Sequence, residues 1–150
     1  MTASRALHWW SAALVWVGFG LGWLMVAVPL SKLRVKFALY QLHKTIGLTV
    51  WGLTIVRLAL YFKRRRRLGV LRTALFALLS VVPVFGYLTA ATSVTEIPTL
   101  FLGSIPIPHL VPPDAWWSAI VTIVHRVLAI LLIVLVAWHG VTSTRRRPAC

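Results

Sequence analysis

The chain has 150 residues, 59% of them hydrophobic, and a mean hydropathy of +0.86. That balance excludes an ordinary soluble domain, and the length leaves room for one small domain over residues 1–150. The net charge of +14 would suit a nucleic-acid binder, but the basic residues stand between apolar runs instead of marking one polar face, which excludes that partner and points to membrane lipid.

In chain order, the first apolar run covers residues 6–31 and holds no ionisable group except His8. About 20 apolar residues suffice to cross the hydrocarbon core, so this run is long enough to span. It is also too long for the apolar region of a signal peptide, and no small-residue cleavage site follows a short core, so a retained anchor is expected. The second run, roughly residues 37–62, is crossed by Lys44 and Arg57 but is otherwise apolar. The third, residues 73–95, carries no charge and is interrupted by Pro83 and Gly86. The fourth, about residues 115–144, has Arg126 as its only fixed charge. The expected fold is therefore an all-α integral membrane protein, a bundle of four transmembrane helices running up and down. The lone Cys150 has no partner for an internal disulfide and carries no functional signal.

Charge sets the expected orientation. Lys63 to Arg67 with Arg72, between spans two and three, and Arg145 to Arg147 after span four mark one side as cytoplasmic. The connection between spans three and four has no lysine or arginine, only Glu96 and Asp114, and is expected to face outward. Both termini are then cytoplasmic. Lys32, Arg34 and Lys36 run against this bias, since they are expected in the outer loop between spans one and two.

Four of the five histidines fall near the ends of these spans. His8 opens span one and His139 closes span four, both at the cytoplasmic face, while His43 and His125 open spans two and four at the outer face. Fourteen residues separate His125 from His139, which puts them about 40° apart around one helix and about 21 Å apart along it. That is too far to serve one metal and suits two cofactors stacked across the bilayer. Each of two six-coordinate haems needs a pair of axial imidazoles, and pairing by depth gives His8 with His139 and His43 with His125. The plainer reading of any one of them is an interfacial histidine bonded to water or headgroups. Four that pair by depth weigh against it, because polar residues inside spans usually carry function.

With those residues in view, the chain resembles the prokaryotic cytochrome b561 family of four-helix membrane cytochromes with two b haems. The resemblance rests on ALHWWSAALVWVGFGLGWLM, YQLHKTIGLTVWGLTIVRL, VVPVFGYLTAAT, FLGSIPIPHLVPP and VHRVLAILLIVLVAWHG, which together cover nearly the whole chain. It implies that His8, His43, His125 and His139 are haem ligands. Two departures stand out: the family usually has an acidic residue where this chain has Arg126, and the connection between spans two and three and the C-terminal tail are short.

Haem propionates would need cationic partners. Arg126, Lys44 and the outer-loop cations are candidates at the outer haem, and Arg57, 14 residues after His43 on the same helix face, at the inner one. Snorkelling to lipid phosphate is the bland alternative for all of them. Gly18, Gly20 and Gly22 stand in mid-membrane, where small residues let helices or a porphyrin edge approach, helix packing being the simpler account. Trp9, Trp10 and Trp138 at one face and Trp116 and Trp117 at the other read as belt residues. The proline-rich outer loop, about residues 96–114, reads as a lid over the outer haem or the border of a quinone pocket, with His109 as a solvated loop histidine and proton handling as its sharper alternative.

The resemblance implies electron transfer at the inner membrane of a bacterium. One version is a superoxide:ubiquinone oxidoreductase, which takes electrons from superoxide at the outer face, where Lys32, Arg34, Lys36 and Lys44 would attract a small anion. The other is a membrane subunit that links a partner dehydrogenase or hydrogenase to the quinone pool. A cofactor-free transporter is a third class, but it expects a buried carboxylate for coupling, and Glu96 and Asp114 both fall outside the spans.

Overall fold

The computed structural model describes residues 3–63 and 69–145. Four helices dominate it: α1 (Ala3–Ala27), α2 (Leu33–Lys63), α3 (Val70–Ala91) and α4 (Ala115–Arg145). All four are long and apolar enough to cross a membrane. In hydrocarbon every backbone amide must be satisfied within its own segment, so runs rich in valine, isoleucine and tryptophan become continuous helices despite modest helix propensity. Pro83 illustrates the point: it removes one amide donor, yet α3 runs through it unbroken. Of the charge clusters used for orientation, Arg64 to Arg67, Arg146 and Arg147 lie outside the described residues, as does Cys150.

The helices pack in sequence, α1 on α2, α2 on α3 and α3 on α4, and the seam where α4 returns to α1 is the sparsest of the four. Val15, Ile46, Val50, Leu75, Leu79, Val82, Leu132 and Ile133 form the shared core, drawn from every helix. Most large apolar side chains face outward instead, among them Trp9, Trp10, Trp23, Trp116 and Trp138. An outward apolar surface on an inward core of modest size is what lipid, in place of water, permits. Buried hydroxyls are closed locally: Ser11 donates to the Leu7 carbonyl and Thr54 to that of Val50, each at 2.7 Å. Among the described residues no buried side-chain nitrogen or oxygen lacks a partner.

The connection between α1 and α2 corrects one expectation. Lys32 ends a single 3-10 turn (Leu30–Lys32), while Arg34 and Lys36 belong to the first turn of α2, so there is almost no loop for them to occupy. Lys36 is used structurally. Its ammonium donates to the Val28 carbonyl at 2.7 Å, just past the end of α1, where carbonyls lack helical partners. It also lies 5.9 Å from the Tyr40 ring centroid.

Between α3 and α4 the proline-rich segment forms an antiparallel hairpin, β1 (Thr99–Phe101) with β2 (Ile105–Ile107), Leu100 opposite Pro106. Its three-residue loop, Leu102 to Ser104, holds Leu102 and Gly103 at φ of 53° and 76°, and the Ser104 amide donates to the Phe101 carbonyl at 3.3 Å. The hairpin is tied to α2. Gln41, buried, donates through its amide nitrogen to the Pro98 carbonyl at 2.8 Å and accepts from the Leu100 amide at 3.0 Å. One turn on, Thr45 accepts from the Leu102 amide at 3.1 Å. The segment's base is closed by the Asp114 amide donating to the Thr92 carbonyl at 2.9 Å, and the Asp114 carboxylate caps α4 by accepting from the Trp117 amide at 2.8 Å.

These ties make a prediction. Gln41→Ala leaves the Leu100 strand amide without a partner and the Pro98 carbonyl with only the long 3.5 Å bond from Lys44, a cost of about 1–3 kcal/mol. Hydrogen exchange at the Leu100 amide should accelerate while amides in the middle of α2 keep their protection; unchanged exchange at Leu100 would show that Gln41 does not hold the hairpin.

Candidate functional site

Two pairs of imidazoles stand at opposite ends of the bundle. His43 of α2 and His125 of α4 have ring centroids 6.2 Å apart and planes at 85°. His8 of α1 and His139 of α4 are also 6.2 Å apart, with planes at 84°. The depth pairing read from the sequence is the pairing the structure makes. A single edge-to-face contact of this kind is ordinary aromatic packing. Two pairs with one separation and one angle, both sharing α4, are a repeated arrangement.

The outer pair is held by backbone. His43 Nδ1 lies 2.9 Å from the Gly18 carbonyl and His125 Nδ1 lies 3.0 Å from that of Val82. A carbonyl only accepts, so in each ring Nδ1 carries the proton and Nε2 is left with a free lone pair. This is the tautomer and the outer-shell bond that metal-ligating histidines use.

The inner pair is held differently. Arg57 Nη2 is 3.2 Å from His8 Nδ1, and the guanidinium lies 5.2 Å from the centroid of Phe76 on α3. Arginine only donates, so His8 Nδ1 accepts here and its own proton sits on Nε2. His8 also meets the Trp9 ring at 5.7 Å.

Bis-imidazole ligation gives a size to compare. Two metal–nitrogen bonds of about 2 Å and two centroid-to-nitrogen distances of about 1.1 Å add to about 6.2 Å. Both pairs have that separation. The outer pair also has the right free nitrogens, whereas His8 meets the requirement only once Arg57 releases Nδ1. Between the outer histidines and the core lies an apolar cavity of about 90 Å³, bordered by Gly18, Ile46, Pro83 and Ala129. Cofactor pockets usually enclose about 300–1,000 Å³, so this void alone does not contain a macrocycle, and the match rests on the imidazoles. Among the described residues no three His, Cys, Asp or Glu side chains gather as a metal-binding group.

The remaining sequence candidates are distributed as follows. Arg57 joins the inner pair, as its position on α2 suggested. Lys44 reaches the Pro98 carbonyl at 3.5 Å and so points toward the hairpin. Arg126 follows His125 on the exposed side of α4. Lys32 and Arg34 are exposed. The three neighbouring glycines separate: a Cβ on Gly22 would meet His43 Cε1 at 3.1 Å, one on Gly18 would meet Ile46 at 3.2 Å, and one on Gly20 would meet nothing within 4 Å. Gly86 faces a histidine too, with His125 Cε1 at 3.0 Å. His109, expected as a solvated loop residue, is half-buried. Its Nε2 shares a 3.0 Å hydrogen bond with Thr99 Oγ1, and its ring meets Tyr87 edge-on at 6.3 Å. Tyr87 in turn donates to the Pro108 carbonyl and accepts from the Leu110 amide, both at 2.8 Å. No known family model matches the chain, and no curated protein matches it.

His109 supports a prediction about pH. Burial first, then the nearby Lys44 ammonium, holds its imidazolium below the usual value of 6.5. The folded loop therefore favours neutral His109. Its contribution is present above pH 6.5 and is lost as pH falls through the lower folded-state value. An NMR titration should place its midpoint below 6.5, and Lys44→Gln should move that midpoint upward. A midpoint at or above 6.5 would contradict the placement of the ring.

Proposed function

We propose that the chain is a di-haem b-type membrane cytochrome of the prokaryotic cytochrome b561 kind, an up-down bundle in the bacterial inner membrane with both termini cytoplasmic. The observation that carries this is the repeated crossed imidazole pair, His43 with His125 and His8 with His139, each at 6.2 Å. Bis-histidine b haems supply one-electron transfer, with no open coordination position for substrate. What the chain contributes is ligation, orientation and exclusion of water. His43 and His125 present unprotonated Nε2 atoms because Gly18 and Val82 fix their tautomer. His8 and His139 form the second pair, and Arg57 beside them is placed to exchange its bond to His8 for one to a propionate.

In the favoured version the donor is superoxide at the outer face and the acceptor is ubiquinone. Two superoxide anions give two electrons and leave as dioxygen, and the quinone takes those electrons with two protons to become the quinol. Exposed Lys32 and Arg34 provide positive potential at that face without a structural duty of the kind Lys36 has.

Purified protein should show paired b-type α bands in a reduced-minus-oxidised spectrum and two haems per chain. His125→Ala should remove the outer haem and His139→Ala should disturb the inner one; a colourless wild-type protein would end this reading. In quinone-loaded liposomes, Lys32→Glu with Arg34→Glu should slow superoxide consumption and flatten its dependence on salt. If the double variant kept the wild-type rate and salt dependence while remaining fully coloured, superoxide steering would be wrong, and a protein partner would become the better donor.

A further inference from the structure

The seats of His43 and His125 are built alike on two different helices. On α1, His43 Nδ1 donates to the Gly18 carbonyl, and the residue four further on is Gly22. On α3, His125 Nδ1 donates to the Val82 carbonyl, and the residue four further on is Gly86. The recurrence has a geometric cause. In an α-helix the carbonyl of residue i points toward the amide of residue i+4. A ring that reaches that oxygen from the side must pass over residue i+4, so a side chain there meets the ring atom next to Nδ1. That atom is Cε1, and it lies 3.1 Å from where a Gly22 Cβ would stand and 3.0 Å from where a Gly86 Cβ would stand. Gly20, on the same helix as Gly22, has open space instead, so the small side chain is required at particular positions and not along a stripe. The inner pair lacks this device, since His8 Nδ1 is met by Arg57.

We infer that Gly22 and Gly86 are positioning residues for the outer ligand pair: by leaving position i+4 bare, each lets one imidazole dock on a helix carbonyl and so fixes its tautomer and its rotation, which hold the two ring planes at 85°. This rests on the cytochrome reading and adds two residues that touch neither iron nor substrate. An added methyl displaces the ring by a few tenths of an ångström and lengthens or bends the Nδ1–carbonyl bond. Loss of such outer-shell bonds weakens metal binding on the order of 10- to 100-fold.

The test uses the haem-loaded protein with Gly22→Ala, Gly86→Ala and, as control, Gly20→Ala. Electron paramagnetic resonance of the ferric protein reports the angle between axial ligand planes, and transfer of haem to excess apomyoglobin reports retention. The expected result is that Gly22→Ala and Gly86→Ala shift the low-spin signal of one haem only and speed its loss on the order of tenfold. The second haem and the Gly20→Ala protein should match wild type. A Gly86→Ala protein indistinguishable from Gly20→Ala would overturn the inference, and so would equal loss of both haems, which would make these glycines packing residues for the whole bundle. A wild-type protein without haem would instead sink the functional reading itself, so the two failures are told apart.

Discussion

The structure depends on the cost of a polar nitrogen in hydrocarbon. An imidazole has two, and in a bilayer neither finds water. For His43 and His125 one nitrogen is settled by a carbonyl that already belongs to a helix ladder, Gly18 on α1 and Val82 on α3. A carbonyl oxygen has two lone pairs, so the helix gives up nothing by accepting the second bond. Each histidine therefore staples its own helix to the preceding one, α2 to α1 and α4 to α3. These are also seams where the chain returns on itself through a connection, so imidazole orientation and hairpin packing are one interaction.

The same rule explains the polar residues that looked miscellaneous in the sequence. Gln41 and Thr45 sit on a mostly apolar helix, but their partners are a strand amide (Leu100), a turn amide (Leu102) and the Pro98 carbonyl of the hairpin segment. Lys36 closes the end of α1 and Asp114 the start of α4. The cations that ran against the orientation bias are thereby divided. Lys36 is part of the fold, Lys44 leans on the hairpin, and Lys32 and Arg34 are left at the surface.

How legible this was depends on what each feature needs. The four helices follow from apolar length alone, and their bounds move by only a few residues, chiefly where α2 begins at Leu33 and takes in Arg34 and Lys36. The histidine pairs were readable because depth along a span is a matter of counting and α4 carries one member of each. The seats were not, since nothing in GFGLG says which glycine faces a ring; that depends on how α2 rotates against α1. The hairpin was hidden for a different reason. Its strands have three residues each, one is a proline, and leucine takes a turn position where asparagine or glycine is usual. Gln41 could have been suspected as a buried amide in a span, but its partner lies 57 residues away along the chain.

The two histidine pairs agree in separation and angle and differ in what surrounds them. The outer rings donate to neutral carbonyls, which leaves their Nε2 atoms basic and free. The inner His8 accepts from a guanidinium, which places a positive charge beside the pair and the imidazole proton on the opposite nitrogen. Equal spacing therefore does not mean equal readiness. The outer site is set by the packing of two helix hairpins and needs no rearrangement of hydrogen bonds before Nε2 can be used. The inner site sits on the sparsest seam, between α1 and α4, and on the proposed reading it would become equivalent once Arg57 exchanged His8 for an anion. A half-buried guanidinium parked on a neutral imidazole is a weaker arrangement than the same group on a carboxylate. On the proposed cytochrome reading, Arg57 therefore stands beside His8 where an incoming propionate would take over its hydrogen bond.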